Sequence, residues 1–257
     1  MKGAVRTPRI LAPLALVAAA LAAWEVAARW EILADALSIE PFLIPAPSDI
    51  ADALWTDRDL LAEDGWVTLQ EVVLGFGLAL IAGLAFAAAL HLSESLRRAF
   101  YPLLVASQTV PIIVIAPILV VWFGFGITPK LVIIALICFF PITVNTLDGL
   151  RSVDPDLIKL MRTLDASRLR IFTGAEAPSA LPYAFSGAKI AVAVAVIGAV
   201  FGEWSGSSSG LGHLMLQASA QLETARLFAA VVVLSVFAVS LFALLSLLER
   251  RVAWWGR

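Results

Sequence analysis

Few residues in this chain have side chains that do chemistry, and those few lie in or beside long apolar runs. Gln108, Asn145, Lys189, Glu71 and Glu203 are candidate polar groups at membrane depth within such runs. Amide and ionisable groups at membrane depth are costly and face either a cavity or one another. Glu71 and Glu203, close to the ends of their runs, are expected at a membrane interface. Gln108 and Asn145 are candidates for lining a solute pathway, with Glu203 kept beside them. Hydrogen bonding between helices accounts equally well for the two amides. His91 and His213 stand apart with no ligand spacing around them, so neither is assigned to metal or proton work. Cys138, the one cysteine, sits in the run 131–140 and reads as a packed thiol. No His/Glu metal pair on one helix, no Ser/His pairing and no carboxylate pair emerges, which weighs against an intramembrane enzyme, the alternative of a different class. A phosphate-cradling Gly-rich loop ending in Gly-Lys-Ser/Thr is also missing, so ATP hydrolysis is not expected of this chain.

The elements that must position these groups follow from composition. Of 257 residues, 61% are hydrophobic and 15% charged, and mean hydropathy is +0.93. Soluble domains carry about half apolar and about a quarter charged residues. The apolar residues come in blocks rather than a stripe, so most helices lack a water-facing side. No basic cluster with interleaved aromatics is present to grip nucleic acid. A helix needs roughly 20 apolar residues to cross a bilayer, and the chain offers six such stretches, near 10–28, 66–90, 100–123, 129–148, 181–201 and 225–248. The first follows Lys2, Arg6 and Arg9 like a signal peptide, yet it continues through Trp24 and Glu25 to Ala28, so it is expected to be retained. With no linker or clear repeat, residues 1–257 read as a single all-α membrane domain.

Orientation comes from Lys and Arg, which stay cytoplasmic in short loops. With the N-terminus inside, thirteen of the 18 basic residues are cytoplasmic, including Arg97, Arg98, Arg151, Lys159, Arg162, Arg168, Arg170, Arg250 and Arg251. Arg29, Arg58, Lys130 and Arg226 fall outside, and Lys189 lies in the cytoplasmic half of the fifth span. Both termini are therefore expected in the cytoplasm. Gly75, Ala79, Gly83, Gly198 and Gly202 allow close helix packing. Pro111 and Pro117 predict a kinked third span, either lining a pathway or simply packed. The Ser- and Gly-rich stretch 205–212 reads as an external loop, flexible or able to approach a docked protein.

The longest cytoplasmic stretch, 149–180, reads as two short helices and a turn. Asp154 suits an N-cap, Pro155 the first helical position and Asp156 the first turn. Leu157, Leu160, Met161 and Leu164 then share one face, while Lys159 and Arg162 point elsewhere. Asp165 marks a break, Ser167 can cap a second helix through Phe172, and Gly174 and Pro178 are expected to end it before the fifth span.

Here RTLDASRLRIF, followed by AP and LP, resembles the cytoplasmic EAA loop of binding-protein-dependent ABC importer permeases. That pattern is Glu-Ala-Ala, three residues, Gly, nine residues, Ile, any residue, Leu-Pro. It lays Lys159, Leu160 and Met161 on Glu-Ala-Ala, Asp165 on the glycine, Ala175 on the isoleucine, Ala177 on the leucine and Pro178 on the proline. Only the proline is retained among those positions. The spacing and the intervening Arg162, Thr163, Leu164, Ala166 and Ser167 carry the likeness. Asp tolerates the left-handed conformation that the glycine supplies, whereas Lys159 reverses a charge. PFLIPAPSDI, SLRRAFYPLLVASQTVPIIVIAPILVVWFGFG, FFPITVNTLDGLRSVDPDLI and GAVFGEWSGSSSGLGHLMLQASAQLETARLFAAVVVLS are similar to the nitrate, sulfonate and taurine subgroup. The phrase around Gly202, Glu203, Trp204 and 207–211 looks closest to permeases for thiamine-precursor pyrimidines. The resemblance implies an inner-membrane permease dimer working with two ATPase subunits, which bind the ATP and Mg, and with an extracytoplasmic binding protein that delivers the solute. It also makes Leu157, Leu160, Met161, Arg162, Thr163, Leu164, Asp165, Ala166, Ser167 and Pro178 the ATPase-coupling residues, and this chain itself needs no cofactor.

Overall fold

The long apolar runs can satisfy their backbone groups in lipid only as helices, and every regular element among the described residues is helical. The computed structural model describes residues 7–253; Lys2, Arg6 and Arg257, counted above in the charge bias, lie outside them. The order is α1 (Thr7–Arg29), α2 (Ile32–Leu37), a 3-10 turn (Pro41–Leu43), α3 (Pro47–Thr56), α4 (Arg58–Leu92), α5 (Glu94–Ser107), α6 (Ile112–Phe123), α7 (Ile127–Arg151), α8 (Pro155–Thr163), α9 (Arg168–Ile171), a π-helical turn (Phe172–Glu176), α10 (Ala177–Trp204), α11 (Leu211–Ala220) and α12 (Thr224–Val252).

Among the described residues, four helical stretches are long and apolar enough to span a membrane: Arg58–Leu92, Ile127–Arg151, Arg168–Trp204 and Thr224–Val252. A fifth arises if α5 and α6 together make one crossing. The kink expected in that stretch is a break: α5 and α6 meet at 101°. Pro111 caps α6, and its ring disfavours helical backbone at Val110 and supplies no N–H. Pro117, by contrast, lies inside α6 without ending it.

The chain divides into two compact units. One comprises residues up to Asp64 with Leu214–Val233, and the other Gly65–His213 with Leu234 onward. In the first unit Trp24 packs against Phe228 with ring centroids 6.1 Å apart, and Arg226 pairs with Asp57 at 2.7 Å. The second is built on α7 against α10. Ile134, Cys138 and Ile142 of α7 and Ala188, Ala191, Val192 and Ala195 of α10 are all buried. Small residues bring the two backbones together. A Cβ at Gly187 would lie 2.5 Å from the Pro141 carbonyl oxygen, and one at Gly75 of α4 2.7 Å from Ile134. Thr224–Val252 has only 6% of its most apolar window buried, as a helix solvated by lipid requires.

Candidate functional site

At one end of the second unit lies the segment that the sequence marks. Asp154 caps α8, accepting from the Asp156 amide at 2.8 Å, with Pro155 at the helix start. Three of the four expected face residues are exposed, Leu157 at 44%, Leu160 at 56% and Leu164 at 72%. Met161 is only half-exposed, its Cε turned toward Gly174. The helix ends in a Schellman turn. Ala166 N donates to Met161 O and Asp165 N to Arg162 O, each at 3.0 Å, with Asp165 at φ 56° where glycine is usual. Ser167 caps α9, accepting from Arg170 N. Arg162 and Thr163 are exposed and Ala166 is half-buried beside the turn.

One expectation for this segment fails. Gly174 and Pro178 do not end the second helix; α9 runs through the π-helical turn into α10 as one element, Arg168–Trp204. The Ala177 amide reaches back to Phe172 O, which shifts the ladder by one residue. Pro178 then falls at the start of α10, directly after the π-helical turn.

Between α5, α6, α7 and α10 lies an open pocket of about 620 Å³. Gln108, Pro111 and Asn145 line it together, with Ile112, Phe140 and Ile190 among its apolar walls. Asn145 Nδ2 donates to Pro141 O at 2.7 Å, and Gln108 is exposed at the break between α5 and α6. Among the described residues no charged side chain lines this space. Pro117 and Glu203 lie outside it.

Glu71 and Glu203 are not exposed interfacial groups. Each is 1% exposed, and they belong to a buried polar network at the end of the unit opposite α8. Lys130 Nζ donates to Glu71 Oε1 at 2.5 Å and to Ser207 Oγ at 2.6 Å. Thr68 Oγ1 donates to Glu203 Oε1 at 2.6 Å and accepts from Leu211 N at 2.8 Å, while Gly212 N donates to Glu203 Oε2. Gly210, at φ 108°, passes so close to the Glu203 carboxylate that a Cβ there would collide with it. The 205–210 loop is thus anchored at both ends. Sequence reading put Lys130 on the external side, at the start of the fourth span, from charge counting alone. The signal available was an acid inside one apolar run and a base at the edge of another, a pattern that calls for a partner.

His91 does not stand alone. Its Nε2 lies 2.9 Å from Glu176 Oε2, with the two side chains 10% and 6% exposed. Lys189 pairs with Glu249 at 2.5 Å. Among the described residues no group of three or more His, Cys, Asp or Glu is placed to hold a metal ion.

A helical chain with several membrane-length spans, an open pocket among them and a capped amphipathic knob between two spans fits a membrane transport subunit. Residues 75–254 match the family described as binding-protein-dependent transport system inner membrane component, and the chain belongs to that family. It is a permease subunit of an ATP-binding-cassette importer. It is 38% identical over 246 residues to a probable ABC transporter permease of Haemophilus influenzae, covering 96% of this chain and 98% of that one. It is 37% identical over 229 residues to the formylaminopyrimidine transport permease ThiX of Halalkalibacterium halodurans, covering 89% and 91%. Aliphatic sulfonate and taurine permeases are also among its relatives. The inward-facing MetNI methionine ABC transporter shares the fold, with a TM-score of 0.64 at 20% identity over 79% of this chain and 98% of that one.

Proposed function

We propose that this chain forms, as one of two copies, the translocation pathway of an inner-membrane importer for an uncharged heterocycle of the thiamine-precursor pyrimidine class. Six crossings are reached when α1 and the bent α5–α6 pair join the four long spans. Both termini and 149–180 then face the cytoplasm, where the Lys and Arg excess lies. An extracytoplasmic binding protein delivers the solute, and two ATPase subunits, holding ATP and Mg, engage the two permeases.

The observation that carries the coupling half is the exposed face of Leu157, Leu160 and Leu164 on a helix fixed at both ends by its caps. Covering one such leucine stabilises a contact by about 1.5–3 kcal/mol, and a rigid knob transmits rigid-body motion. Arg162, Thr163, Asp165, Ala166 and Ser167 shape that knob, and Pro178 starts the helix it leads into. For the solute, the likeness to ThiX is joined by the pocket itself. Its amides from Gln108 and Asn145 sit among apolar walls with no cation, which suits a neutral ring with polar edges better than a sulfonate.

Two experiments test this reading. Leu164→Glu buries an unpaired charge in the docking groove and is expected to lose the ATPase on co-purification; retention of the ATPase with normal stimulated hydrolysis would refute docking through α8. Thermal-shift screening of the cognate binding protein is expected to select aminopyrimidines, and selection of taurine or alkanesulfonates would overturn the solute assignment.

A further inference from the structure

Where the α8–α9 segment joins the helical body, one buried carboxylate ties three elements together. Glu176, the last residue of the π-helical turn, accepts from Arg168 Nη1 on Oε1 at 2.7 Å. Its other oxygen, Oε2, faces His91 Nε2 at 2.9 Å. Arg168 opens α9, directly after the Ser167 cap, and His91 is the penultimate residue of α4. The His91 ring also lies 6.3 Å from that of Phe172, the first residue of the turn, and the adjoining Ile171 is fully buried.

The clasp spans a weak point. A π-helical turn inserts one residue into the ladder, and its wider, less regular hydrogen bonds make it a natural place for a helix to flex. Arg168 lies before that turn and Glu176 closes it. A push on α8 that reached an unbraced turn would be absorbed there. With Glu176 hydrogen-bonded to Arg168 and its Oε2 set 2.9 Å from His91 Nε2, close but not in hydrogen-bond geometry, α9, the start of α10 and the end of α4 move as one body.

We propose that Glu176 is a positioning residue for energy coupling, clamping the π-helical turn so that displacement of α8 reaches α10 and α4 together. This rests on the reading of α8 as the ATPase-docking element.

The test uses the whole complex in proteoliposomes with its binding protein and measures solute taken up per ATP hydrolysed. Glu176→Gln is expected to keep the ATPase bound and basal hydrolysis running while uptake per ATP falls by roughly tenfold or more. Glu176 is buried and its variant can fail to assemble, so Arg168→Leu, at a side chain 45% exposed, is measured as well. It is expected to shift the ratio in the same direction, and Arg168→Lys to preserve it. The proposal is overturned if Arg168→Leu transports at the wild-type ratio. It is equally overturned if uptake and hydrolysis fall together in proportion to assembled complex, as a merely structural role dictates. Leu164→Glu run alongside separates the two ideas. Retention of the ATPase there refutes docking through α8, whereas its loss there with an unchanged ratio in Arg168→Leu refutes the clamp alone.

Discussion

Asp165 and Lys130 show how far single residues could be understood from sequence. Asp165 was legible because a turn that takes glycine accepts few other residues, and its φ of 56° with both Schellman hydrogen bonds fits that argument. Asp165→Gly is expected to leave uptake and stimulated hydrolysis near wild type. Asp165→Val forces a β-branched side chain into the left-handed region at about 1–2 kcal/mol and is expected to lower stimulated ATP hydrolysis. Lys130 was not legible, since charge counting treats each cation separately and the structure pairs it across two helices with Glu71. Lys130→Met leaves that carboxylate buried without its partner and is expected to destabilise the protein by about 3–5 kcal/mol. Glu71→Leu added to Lys130→Met is expected to recover most of the loss. Unfolding midpoints of both detergent-solubilised single variants and of the double variant, read as a mutant cycle, check this; losses that simply add would show that the pair contributes little.

At the scale of elements, local signals were read correctly where the chain meets water and poorly where one helix hands over to the next. The Asp154 cap, the Pro155 start and the leucine face of α8 all follow from short-range rules that the structure obeys. Gly174 and Pro178 look like stop signals to the same rules, yet a one-residue shift of the ladder places Pro178 at the start of α10. A shift of this kind depends on what Ile171, Ala175 and Glu176 pack against, and that is not written locally. Seams between helices follow the same division. Small residues announce close packing, but only the structure shows which of them touch. Gly187→Ala, with its new Cβ 2.5 Å from the Pro141 carbonyl oxygen, is expected to destabilise by about 1–3 kcal/mol. Gly77→Ala meets nothing within 4 Å and is expected to be neutral or stabilising by up to about 1 kcal/mol. Thermal unfolding of the two variants side by side decides whether the α7–α10 seam is as tight as its geometry.

For the whole molecule, orientation and assembly remain the properties most open to direct measurement. If, as proposed, 149–180 is cytoplasmic and 205–210 external, an impermeant thiol reagent on intact cells is expected to label a cysteine placed at Ser208 and not one placed at Ser152; the reverse pattern would invert the topology. Both serines are exposed on the folded chain, so access is decided by the side of the membrane alone. Native mass spectrometry of the purified complex is expected to show two permeases with two ATPases, and one of each would refute the paired arrangement. Cys138 bears on both experiments. It is 0% exposed and its thiol faces the Ala191 carbonyl oxygen at 3.3 Å, inside the α7–α10 seam. A thiol so enclosed is silent toward maleimides while the fold is intact, so the native chain is already a blank background for reporter chemistry. Spin or fluorescent labels placed in pairs on α8 and α10 would then follow the transport cycle without disturbing the seam.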